Sequence, residues 1–138
     1  MSKTRVHDSF ARQSLMTTFG AELQAVEPGR VTISAPIGDH LRQQHGFAHA
    51  GVTFALGDSA AGYSALSLLP EDREVVTSEM KIHLLAPAVG TRLVARGRVV
   101  KPGKRLVIVM ADVYALDEDG AETHVALLTG TMVPVPSG

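Results

Sequence analysis

Residues 51–69 read GVTFALGDSAAGYSALSLL, a stretch of mainly small and apolar residues in which Asp58 is the sole charged one. Apolar side chains on every side of a helical wheel describe a helix buried all round rather than an amphipathic surface helix. A carboxylate is almost never taken fully out of water without a partner, because its desolvation is expensive. Asp58 therefore marks either a structural pair or a reaction. Immediately upstream, residues 43–51 read QQHGFAHAG, a polar loop with a glycine in it that runs into the helix start. The first turn of a helix offers unpaired backbone N–H groups and the positive end of the macrodipole, both suited to a developing oxyanion.

The chain around this segment is 138 residues long, enough for one domain with an adequate core, and is expected to form a single domain over 1–138. Hydrophobic residues make up 45% and charged residues 20%, the balance of an ordered globular protein. A formal charge of −1 lacks the basic footprint that nucleic acid requires. There is no cysteine, which removes disulfides, iron–sulfur ligation and thiol nucleophiles. Residues 1–13, MSKTRVHDSFARQ, lack an apolar leader core, and residues 47–69 are interrupted by Asp58, so the expectation is a cytoplasmic protein with no membrane partner.

Outward from the helix, residues 8–19 are expected to form a short N-terminal helix, capped by Asp8 or Ser9 and ended by Gly20. Residues 21–26 and 30–37 make a hairpin around Pro28-Gly29. The loop 38–49 leads into the long helix, which runs up to Pro70. Four strands follow. In 74–85, Val76, Met80, Ile82 and Leu84 alternate with Thr77, Glu79, Lys81 and His83; in 91–101 the apolar positions oppose Arg92, Arg96 and Arg98. Strand 104–116 is apolar on both faces, as expected of a central strand or a subunit interface, and Asp119-Gly120 turns into 122–135. These strands exceed the usual length of about 5–6 residues. Long antiparallel strands with one apolar helix predict an α+β domain in which a strongly curved sheet wraps that helix.

In layout and loop, the chain resembles the hotdog-fold acyl-CoA thioesterases of the PaaI, or phenylacetate-pathway, type. Their signature, Asn/Gln-x-x-Gly-x-x-His-Gly-Gly with Asp or Glu nine residues after the His, is matched by Gln43, Gly46, His49, Ala50, Gly51 and Asp58. The run TSEMKIHLLAP at 77–87 resembles the family strand that ends in a Pro-Ala turn, and Gly103-Lys104 resembles its later turn. The resemblance spans roughly residues 8–134. It implies hydrolysis of an acyl- or aroyl-CoA without cofactor. Ala50 replaces the first glycine of the usual His-Gly-Gly; it keeps the backbone N–H that polarises the thioester carbonyl in the family, with the Gly51 N–H expected as a second oxyanion donor, and adds a methyl near the substrate.

Each residue also has a plainer reading. Asp58 is assigned as nucleophile or general base rather than a buried helical polar group. Gln43 is singled out from Gln44 by the family spacing alone, as an amide that orients the thioester or a water. Thr77 stands where the family often places a hydroxyl near the carboxylate; otherwise it is an ordinary β-branched strand residue. His49 is read as a loop anchor on the substrate side, together with Gly46. Lys104, Arg105 and the stripe Arg92/Arg96/Arg98 are candidates for coenzyme A phosphates, although a charged stripe is usually a solvated face. His45 and His49 lack the intervening glutamate of a zinc helix and the other histidines are scattered, so no metal site is expected.

Two rivals remain. One is a non-catalytic acyl-CoA-binding module on the same fold. The other is a hotdog hydratase or dehydratase, which lacks the carboxylate it would need beside His49. Finally, Ala50 and Asp58 are eight positions apart on one helix, about 12 Å at 1.5 Å per residue. An Asp side chain does not span that, so a homo-oligomer, a dimer or dimer of dimers, with sites shared between subunits is expected.

Overall fold

The computed structural model describes residues 2–138; of the segment 1–138 expected as one domain, Met1 lies outside the described residues. Two short helices, α1 (Ser2–Arg12) and α2 (Ser14–Phe19), precede a hairpin of β1 (Glu22–Glu27) and β2 (Arg30–Pro36). A 3-10 turn (Asp39–Leu41) and a loop lead to α3 (Ala50–Leu66). Four strands complete the chain: β3 (Arg73–Leu84), β4 (Arg92–Pro102), β5 (Val107–Leu116) and β6 (Glu122–Pro136). All pairings are antiparallel, in the order β1-β2-β4-β5-β6-β3. The six strands curve round α3, as the α+β expectation required.

Small side chains explain how closely the sheet wraps the helix. Leu56, Ala60, Ala61, Ala65 and Leu66 are fully buried among Ile33, Leu93, Val109, Ala111 and Leu128. Close packing leaves no room for added atoms. A Cβ on Gly97 of β4 would collide with the α3 backbone at Ala60, and one on Gly57 would lie 2.8 Å from the Leu128 methyls. The helix serines are hydrogen-bonded too, as buried hydroxyls must be. Ser64 Oγ donates to the Ala60 carbonyl at 2.7 Å and accepts the Val31 N–H at 3.0 Å. Ser67 Oγ donates to the Ser64 carbonyl and accepts the Gly29 N–H, tying the helix end to the β1–β2 turn.

The structure departs from the expected elements at four points. The helix expected at 8–19 is two helices that begin at Ser2 and break at Gln13, whose backbone is extended (φ −85°, ψ 96°). The helix expected to reach Pro70 ends at Leu66. Leu68 and Leu69 donate to carbonyls three residues back, the tightened last turn common before a proline. The strand expected from residue 104 begins at Val107, because residues 103–106 make the turn from β4.

The fourth departure concerns β3. A bulge between Thr77 and Glu79 interrupts its alternation. Val75 and Thr77 before it and Met80 and Ile82 after it all turn toward the helix side, whereas Val76 and Leu84 are exposed, at 50% and 59%. Unbroken alternation would have turned Thr77 outward with Glu79 and Lys81.

Strand β5 is central by position, between β4 and β6. Its inner face (Val107, Val109, Ala111, Val113, Ala115) is buried. The outer face carries Ile108, Met110, Asp112 and Tyr114, which are only partly covered or exposed. Strand β3 forms one edge of the sheet.

Candidate active site

The loop before α3 is a self-supporting platform. The N–H of Ala48 donates to the Ala88 carbonyl at 3.0 Å and that of His49 to the Leu41 carbonyl at 2.9 Å. Gln43 and Gly46 close a turn, with the Gly46 N–H on the Gln43 carbonyl at 2.9 Å and Gly46 at φ +86°, a conformation that favours glycine. Arg42 Nη1 donates to the Gly46 carbonyl at 2.7 Å. Gln43 Oε1 accepts from the backbone N–H groups of His45 (2.5 Å) and Phe47 (3.3 Å). These donors set the orientation of the amide and leave its NH₂ as the side chain's outward group. Gln43, His49 and Ala50 line a cleft of about 540 Å³, walled by Phe47, Leu85 and Pro87, within the usual range of small-ligand sites. Gly46 shapes the turn and does not line this cleft.

His49 is the N-cap of α3: its extended backbone (φ −63°, ψ 139°) precedes the helix and its Nδ1 accepts the Gly51 N–H at 2.8 Å. The neutral ring that accepts at Nδ1 carries its proton on Nε2. The cap narrows one expectation. Gly51's N–H is engaged by His49, whereas the Ala50 N–H has no partner among the described residues and opens on the cleft.

Asp58 lies two turns further along α3, in a separate cleft of about 190 Å³. Thr77 Oγ1, turned inward ahead of the β3 bulge, donates to Asp58 Oδ1 at 2.7 Å. Burial pushes the Asp58 carboxyl above its ordinary value, and the Thr77 hydrogen bond only partly offsets this. The two clefts have no lining residue in common. The chain thus brings Asp58 to Thr77, and Gln43 to His49 and Ala50, but does not unite the two groups.

Lys104 stands apart from both. It borders a third cleft, at the far end of α3 beside Leu68, Pro70 and Arg73, and Arg105 follows it in the same turn. The arginine stripe is committed to neighbours on the outer sheet face. Arg92 meets Glu22 at 2.9 Å, Arg96 grips Glu122 through both Nη atoms and lies 4.8 Å over the Tyr114 ring, and Arg98 approaches the Met110 sulfur. The solvated-face reading of that stripe is the one the structure supports. Among the described residues no group of His, Asp or Glu has metal-site geometry, and no helix is long and apolar enough to cross a membrane.

Sequence reasoning missed Gln13, which enters the Asp58 cleft from the α1–α2 break. Its Nε2 donates to the Tyr63 hydroxyl at 3.0 Å, and its Oε1 accepts from Ser59 Oγ at 3.2 Å. No residue pattern marks this position, since the break has no side-chain cap. Ser59 is partly covered by this contact.

Comparison with known proteins gives this geometry a context. The family model described as Thioesterase superfamily matches residues 45–122, more than half of the chain. A thioesterase family protein from Silicibacter pomeroyi, solved by crystallography, is 43% identical and has a TM-score of 0.96, over 99% of this chain and 100% of that one. The 1,4-dihydroxy-2-naphthoyl-CoA hydrolase of Listeria monocytogenes is 27% identical over 90 residues, 65% of this chain and 73% of its own length. The PaaI protein of the E. coli phenylacetic acid degradation operon shares the fold, with 19% identity and a TM-score of 0.86 over 99% of this chain and 94% of that one. The matched segment includes Ala50, Asp58, Thr77 and Lys104, and begins after Gln13 and Gln43.

Proposed function

The chain belongs to the thioesterase superfamily, and from that premise we propose that it hydrolyses an acyl- or aroyl-CoA thioester to the free acid and coenzyme A, as a single hotdog domain over 1–138 acting in the cytoplasm. The observation that carries the reading is Asp58: one carboxylate on an otherwise apolar helix, half buried, bonded to Thr77 and facing a cleft. Burial raises its proton affinity, as a general base toward water requires.

In the proposed reaction Asp58 takes a proton from water while the oxygen bonds to the thioester carbon. The carbonyl electrons move onto oxygen, where the Ala50 N–H and the Gln43 NH₂ stabilise them. Collapse restores the carbonyl, breaks the C–S bond and returns the proton from Asp58 to the departing thiolate. Thr77 holds the carboxylate in place. His49 and Gly46 shape the loop, and Lys104 and Arg105 meet the phosphates of coenzyme A. No cofactor takes part.

The test is a panel of acyl-CoA thioesters assayed for released thiol. Turnover of at least one ester is expected. Tight binding with no turnover anywhere would identify a binding module instead.

Oxyanion donor and base must both lie within about 3 Å of the reacting group. Their separation along α3 is about 12 Å at 1.5 Å per residue, so we propose that each site takes its loop from one subunit and Asp58 from another. An edge strand of 12 residues with Val76 and Leu84 exposed is a surface that proteins usually cover or pair, and a second copy of β3 would do so. Two sites per dimer, or a dimer of such dimers, follow. Mixing an Asp58→Ala chain with an Ala50→Pro chain after dissociation and reassociation should restore about one working site per heterodimer. A mixture as inactive as its parents, with exchange confirmed, would place the whole site in one chain.

A further inference from the structure

The N-terminal segment is outside the matched family region, yet it walls the cleft that holds Asp58. Helix α1 is fastened across α3 at both ends. Arg5 Nη1 donates to the carbonyls of Leu69 (3.0 Å) and Pro70 (2.9 Å) at one end, and Ser9 and Gln13 reach the Tyr63 hydroxyl at the other. The extended backbone at Gln13 aims its amide into the cleft, where one N–H goes to Tyr63 and one oxygen lone pair to Ser59. A primary amide has two N–H groups and two lone pairs. One donor and one acceptor therefore remain for whatever occupies the cleft.

Size and charge narrow the occupant. About 190 Å³ is the share of roughly six liquid waters at ~30 Å³ each, room for a short acyl chain or one ring. A coenzyme A moiety does not fit there. Glu74, paired with Arg5 at 4.0 Å, borders the same cleft as Asp58. A second carboxylate on the acyl group would meet both acids, so the polar group that fits is neutral. Gly62 and Tyr63 lie four and five residues beyond Asp58 on α3, about one turn at 3.6 residues per turn, and Ser59 is its immediate neighbour. That places the amide a few bonds beyond a carbonyl held at the carboxylate.

We propose that Gln13 is a specificity-determining residue, which reads a neutral hydroxyl or oxo group a few bonds from the thioester carbonyl. The proposal rests on the thioesterase reading and adds the selection of the acyl group. A site built to hydrogen-bond a substrate hydroxyl discriminates strongly against the analogue without it, because its own polar groups are then left unpaired.

The probes are 3-hydroxybutanoyl-CoA against butanoyl-CoA and 3-hydroxybenzoyl-CoA against benzoyl-CoA. In at least one pair, wild-type kcat/KM should favour the hydroxylated ester by about tenfold or more. Gln13→Met should reduce kcat/KM for that ester about tenfold and change its plain partner by less than about threefold, given ~1.4 kcal/mol per factor of ten and a net worth of about 0.5–1.5 kcal/mol for one hydrogen bond. Gln13→Leu, which likewise removes the amide, is read in the same way should the Met variant not fold. Equal loss on both esters would reduce Gln13 to a clamp between α1 and α3 and overturn the proposal, as would a wild type indifferent to the hydroxyl in both pairs. Calorimetric affinities for the same four esters report the ratio without turnover. Preference in binding with no hydrolysis would therefore sink the thioesterase reading alone.

Discussion

Asp58→Asn is expected to leave a folded protein whose kcat has fallen by about 10²–10⁴, the usual cost of removing a positioned general base. Asparagine is nearly isosteric and its amide still accepts the Thr77 hydroxyl proton, so the 2.7 Å contact survives while proton uptake does not. The pH profile carries a second signature. Because burial raises the Asp58 carboxyl above its ordinary value, the acid limb of kcat/KM should lie above the range of an exposed aspartate and vanish from the residual activity of the variant. Stability should move the other way. An acid whose pKa is raised in the folded state stabilises most when protonated, at low pH, and that contribution is lost as pH rises through the folded pKa. Above that pH the folded protein holds a poorly solvated charge, and there Asp58→Asn should melt higher than wild type. A variant that keeps more than a tenth of kcat would remove Asp58 from the chemistry.

Ala50→Pro should cost about 10²–10³ in kcat, the range for loss of one oxyanion donor, without unfolding α3. Proline has no N–H but is at ease in the first position of a helix, and Ala50 is that position. His49 before it is already extended, as a residue preceding proline must be. The cap from Gly51 N–H to His49 Nδ1 does not involve the Ala50 nitrogen. Ala50→Gly keeps the donor and should stay within about tenfold of wild type. Normal turnover in a folded Ala50→Pro protein would show that the carbonyl is polarised elsewhere.

Much of this was legible in the residue pattern. The apolar run with one acid announced a buried helix, and two-residue alternation announced the long strands, because both periodicities follow directly from burial. The β3 bulge was not read, although Gly130 signals it. Gly130 pairs with Met80 just past the bulge, and a Cβ there would lie 2.5 Å from the Glu79 carbonyl. A glycine inside an apolar strand often marks such a place. The break at Gln13 had no comparable marker, because it is held by Tyr63 and Ser59, about fifty positions away in the chain. The engagement of Gly51's N–H likewise depends on which way the His49 ring turns, a matter of side-chain geometry that residue spacing does not encode.

Gly97 decides what kind of variation this architecture can absorb. Its lack of a side chain lets β4 touch the backbone of α3 at Ala60, so the helix that carries Ala50 and Asp58 has no slack in which to shift toward or away from the sheet. A lineage, or an engineer, seeking a new acyl preference meets a rigid anvil there and an adjustable jaw in residues 2–19, which lie outside the residues the family model matches. Diversity is best spent on the jaw.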